Sequence, residues 1–97
     1  MHTKEIEITK SSRGWSVHTI QHWDDWPNPV STHSGASTLA WAIYKAVSRA
    51  SETNTQVVKL TVKGEPYPRE KVEASIRKSC AGMLSYTLED TLATLAL

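Results

Sequence analysis

Phenylalanine is absent from this sequence, and cysteine occurs once, at Cys80. A single thiol excludes an intramolecular disulfide, and with it the stapled scaffolds of small secreted domains. There is no Cys-x-x-Cys or His-Glu-x-x-His spacing, so no zinc motif is present. There is no Gly-x-Ser-x-Gly elbow for a nucleophilic serine. The four glycines, Gly14, Gly35, Gly64 and Gly82, lie too far apart to form a phosphate-cradling loop. No apolar run approaches the ~20 residues of a membrane span. The segment Met1–Ile6 lacks the apolar core of a signal peptide, so a cytoplasmic location is expected. An excess of one charge is missing too. Eleven basic against ten acidic residues leave a net charge of +1, which fits neither a protein living on non-specific phosphate neutralisation nor a mimic of nucleic acid. A local patch stays open.

What is present is the material of one globular domain over residues 1–97. Hydrophobic residues make up 39% and charged residues 22%, well away from the composition of disordered chains. Tryptophan is abundant: three of four, Trp15, Trp23 and Trp26, crowd into one short stretch.

Lys4–Lys10 alternates, with Ile6 and Ile8 on one face and Glu5, Glu7 and Thr9 on the other, as a half-buried strand does. Ser11–Gly14 reads as a turn. A second strand follows over Trp15–Gln21, with Trp15 and Val17 inward, and Ile20 breaks its alternation, which predicts a bulge or a strand end. Close spacing makes the two an antiparallel hairpin. His22–Gly35 reads as a long irregular loop. Ser37 or Thr38 caps a helix to about Ser51, with Leu39, Ile43, Ala46 and Ala50 on one stripe and Val47 beside it. Gln56–Lys63 is a strand with Val58, Leu60 and Val62 inward. Pro68 opens a charged helix to about Ser79, with Val72, Ile76 and Cys80 in line and Gly82 as its C-cap. Met83–Tyr86 reads either as a short strand or as the approach to a last helix, for which Thr87–Asp90 resembles a capping box. The expected fold is therefore α+β: a small, mostly antiparallel sheet of three to four strands in the order β-β-α-β-α-(β)-α, with helices on one face. A spatial order 2-1-3, with the first strand antiparallel to both neighbours, is expected, leaving Glu5, Glu7, His18, Lys59 and Thr61 on the open face.

Four kinds of site compete. Trp23, Asp24, Asp25 and Trp26 form a loop in which large aromatic area and paired carboxylates suit a protein partner. The competing structural reading folds one of these tryptophans back over the core. Lys59, Lys63, Arg69, Lys71, Arg77 and Lys78, with Tyr67 nearby, offer a nucleic-acid patch, although Glu65, Glu70 and Glu73 interleave with them as on an ordinary solvated face. His22, Asp24, Asp25 and His33 are the residues of a small-molecule or enzyme reading. His18, His22 and His33 with Asp24 and Asp25 invite a metal reading, but His18 and His22 on one strand stand roughly 13 Å apart, so no metal is expected, and no motif marks a catalytic constellation or a cofactor. Cys80, near a helix C-terminus, suits packing better than reactivity. Leu88, Leu92 and Leu95 form an apolar stripe that either closes the chain's own core or mediates a homodimer.

The hairpin with Gly14-Trp15-x-Val17, the alanine-rich helix and the strand ending at Lys63-Gly64 are similar to small bacterial domains of unknown function. They also resemble the layout of HicB-like antitoxin domains. The long tryptophan loop and the C-terminal leucine helix depart from either pattern, and no site residue is carried across. Short domains of this kind are associated with phages and mobile elements. The expectation is a small non-catalytic binding or accessory protein that recognises a protein partner through the Trp23–Trp26 loop. The alternatives are a nucleic-acid-binding regulator and a small-molecule-binding protein or enzyme.

Overall fold

A computed structural model describes residues 2–25, 27–79 and 85–97. The alternating N-terminal segment forms β1 (His2–Ser11), which turns through Ser12 and Arg13 into β2 (Gly14–His22). The two pair antiparallel from Thr3 opposite His22 to Ser11 opposite Gly14. Gly14 is required at this corner. Its φ is +139°, and a β-carbon there would meet the Ala36 carbonyl oxygen well inside van der Waals contact.

The segment expected as a long loop holds a strand, β3 (Val30–Ala36), paired antiparallel with β2. Its residues, VSTHSGA, are small and polar and mostly exposed. An edge strand held by its backbone ladder with little burial leaves no hydrophobic alternation to read. Of that segment, residues 23–25 and 27–29 lie outside helix and strand. Ile20 marks neither a bulge nor an end: it sits in regular register opposite Glu5 on the open face.

β3 turns the chain once more before α1 (Leu39–Glu52), and this changes the sheet. The strand after the helix, β4 (Thr55–Val62), runs parallel to β1 and not antiparallel as expected. The two-residue strand β5 (Glu65–Pro66) then pairs antiparallel with β4. The result is an α+β fold with a five-stranded mixed sheet, β3-β2-β1-β4-β5. The expected central position of β1 holds. β4 carries a bulge: Val57 lies opposite Lys4 and Lys59 opposite Glu5, so Val58 is the extra residue. Val57 is therefore the buried valine, and Val58, expected inward, is 42% exposed.

Thr38 caps α1, its Oγ1 accepting from the Trp41 amide at 3.2 Å. α2 (Arg69–Ser79) buries Val72 and Ile76. α3 (Ser85–Ala93) includes Ser85 and Tyr86, so these two are helical, and the helix begins before the Thr87 capping box. Cys80, Gly82 and Met83, to which roles were assigned above, lie outside the described residues. One core joins both layers: Ile6, Ile8, Val17, Leu60 and Val62 from the sheet meet Ile43, Val47, Val72, Ile76 and Leu95. Leu88 and Leu92 pack against it. After α3 the chain runs along β4, with the Val57 amide donating to the Thr94 carbonyl and the Ala96 amide to the Val57 carbonyl, each at 2.8 Å. Among the described residues no helix is long and apolar enough to cross a membrane.

Candidate functional site

In β1 and β2 one set of side chains faces the helices and the other faces away. The outward set gathers Glu5 and Glu7 from β1, His18, Ile20 and His22 from β2, His33 from β3, and Lys59 and Thr61 from β4. His18 and His33 stack with ring centroids 4.4 Å apart and planes within 4°. Glu7 lies 4.0 Å from His18 Nδ1, and Glu5 lies 2.8 Å from His22 Nε2. These are exposed surface pairs with small energies. His22 and His33 do not converge: His33 stands opposite His18, four residues along β2 from His22, or roughly 13 Å away. Asp24 and Asp25 follow in the turn after β2, where the Asp24 amide donates to His2 Nδ1 at 3.4 Å. The four residues of the enzyme reading thus form no common centre. Among the described residues no three His, Cys, Asp or Glu side chains are placed to hold a metal ion.

The six basic residues do not share one face. Lys59 projects from the open side of the sheet, whereas Arg69, Lys71, Arg77 and Lys78 belong to α2 in the helical layer. Lys63, in the turn after β4, lies with Lys10 over the Trp15 ring. Arg69 is occupied by Glu73 at 3.2 Å and by the Leu95 carbonyl at 3.1 Å. Leu95 is buried in the chain's own core, so a homodimer through Leu88, Leu92 and Leu95 would compete with contacts already made.

The inward side offers a concavity. A cleft of about 320 Å³ opens between α1 and the inner faces of β2 and β3. Its apolar part is Val17, Ala46 and Val30, and Trp23 forms a wall. Trp23 is half-buried, outside the core, and meets the His2 ring edge-on at 4.7 Å. Its loop partner Trp26 lies outside the described residues. The cleft is polar through Thr19, Gln21, Thr32, Ser34 and Thr53, and charged through Lys4, Lys45, Arg49 and Glu52. Thr19 and Thr32 share a hydroxyl hydrogen bond across the strands. Gln21 Nε2 donates to Thr55 Oγ1 at 3.1 Å, and Lys45 Nζ to the Gly35 carbonyl at 3.0 Å.

Lys4 is the unusual member. It is 7% exposed, and among the described residues its ammonium has neither hydrogen bond nor ion pair. Burial pushes its pKa below the ordinary lysine value, and the nearby Arg49 charge pushes it the same way. None of Lys4, Thr19, Thr32, Lys45 or Arg49 was singled out from sequence. For Lys4 a signal exists: it shares the parity of Ile6 and Ile8, which places it inward. Comparison of the chain with protein-family models, curated proteins and solved structures found no match, so the reading of this site rests on its geometry.

Proposed function

We propose that this chain is a small non-catalytic binding protein that takes a protein partner where the Trp23 loop meets the cleft between α1 and the sheet. The observation that carries the reading is Trp23 itself, half-buried outside the core as a wall of a charged cleft. A large ring held at the mouth of a concavity presents area at small conformational cost, the usual character of a binding anchor. Asp24 and Asp25 beside it are exposed and extend the surface toward basic groups of the partner. The single thiol, which excludes an intramolecular disulfide, fits a cytoplasmic setting for this role.

The experiment is site-specific photocrosslinking from position 23 in cells. A discrete adduct of one mass, lost when the photoreactive group is moved to the exposed position Val58, is the expected result. An absence of adduct, or a smear equal to that from position 58, overturns the reading. In parallel, Trp23→Ala is expected to leave the melting temperature nearly unchanged, because the ring lies outside the core.

A further inference from the structure

The β1 row that faces the helices runs Lys4, Ile6, Ile8, and both isoleucines are core. An apolar residue at position 4 would extend that row without desolvating a charge. A lysine stands there instead, a buried residue whose side chain lines the cleft. The second cation of the cleft that no acceptor engages is Arg49, whose guanidinium has no hydrogen bond or ion pair among the described residues. Glu52 lines the same cleft and pairs with neither. The hydroxyls of Thr19, Thr32 and Ser34 line the same cleft, and a hydroxyl donates as readily as it accepts.

We propose that the cleft is an oxyanion-binding site in which Lys4 and Arg49 grip one carboxylate or phosphate group of the bound partner. The inference rests on the reading above and names the chemistry of what docks: an acidic or phosphorylated side chain whose apolar stem lies against Trp23, Val17 and Val30. Two like charges in a partly desolvated cleft repel each other, and an anion between them turns that repulsion into two charge-assisted hydrogen bonds. The same anion restores the Lys4 pKa toward its ordinary value, which supplies a direct reporter. Arg49 contributes the planar fork that suits either oxyanion.

The test is an NMR titration of the full chain with inorganic phosphate and, separately, with succinate, at ionic strength matched with chloride. The Lys4 and Arg49 side-chain signals and the Trp23 indole are followed. Saturable shifts at all three, with affinity about tenfold or more weaker in Lys4→Met and in Arg49→Gln, are expected. The tighter probe tells whether the group is a phosphate or a carboxylate. Shifts that do not saturate, or affinities unchanged in both variants, overturn the site. Arg49 is exposed, so its variant keeps the test decisive even where Lys4→Met fails to fold. Saturable binding with no crosslink from position 23 removes the protein partner and leaves the oxyanion site standing, with a free small anion as its ligand.

Discussion

Replacing Lys4 by methionine tests the physical claim on which the site depends. Methionine keeps the length of the side chain and removes the charge. In the native fold Lys4 is 7% exposed as a residue, and its partly buried ammonium finds no acceptor among the described residues. Its transfer from water is therefore uncompensated, whereas a thioether beside Ile6 adds to the core. The two contributions together stabilise the variant by about 1–2 kcal/mol, since the ammonium keeps some contact with the cleft. For a domain this size each kcal/mol raises Tm by about 4–8 °C. The pH dependence has a definite sign. The folded pKa of Lys4 lies below 10.5, so between the two values the unfolded chain binds more protons and stability rises with pH. Below the folded value the cost is fully present; above 10.5 it is gone. The advantage of the variant should thus be constant near neutrality and shrink as pH climbs toward 10.5. Urea unfolding of both proteins from pH 6 to 10 reads this directly. A variant less stable than the wild type at pH 7 by 1 kcal/mol or more would refute the reasoning, for it would mean that Lys4 makes favourable contacts in the fold.

Two further predictions concern the frame that holds the cleft. Gly14→Ala combines a positive φ with a backbone clash against Ala36, the last residue of β3, at the corner between β1 and β2, so thermal denaturation should show a loss of about 2–4 kcal/mol; a loss under 0.5 kcal/mol would count against that close approach. Val57→Ala should cost about 1–3 kcal/mol and Val58→Ala under about 0.5 kcal/mol, because the bulge buries the first and exposes the second; equal costs in chemical denaturation would place the bulge elsewhere.

Periodicity revealed those elements that bury one face. Ile6 and Ile8, and the stripe Ile43, Ala46, Val47 and Ala50, are in the core, and Thr38 caps the helix that carries the stripe. The failures share a cause. Val30–Ala36 is an edge strand whose stability comes from pairing with β2, a non-local term absent from local composition. The direction of β4 followed from that omission, since one strand more or less before a crossover reverses everything after it. The bulge at Val58 is not legible in sequence because two adjacent valines satisfy either register equally well, and only the partner strand selects one.

The site was harder to read than the fold, for a reason that lies in β3. The tryptophans and histidines are conspicuous by type, and among the described ones Trp23 alone lines the cleft. The cleft exists because β3 extends the sheet beyond the reach of α1. Val30 and Thr32 point to the helical side and yet stay exposed, so the helix does not cover them. Thr19 and Gln21 of β2 then form the floor, and Lys45 and Arg49 of α1 form the overhanging wall. Each is unremarkable alone: a threonine in a strand, an arginine on an exposed helix face. They become a site through the uncovered strand, which sequence had assigned to a loop. Lys4 stands at the inner end of that space because it lies on the helix-facing side of central β1, opposite Gln21 of β2 and Val57 of β4. The fold thus bears the cost of a desolvated charge at the one place where a bound oxyanion would relieve it.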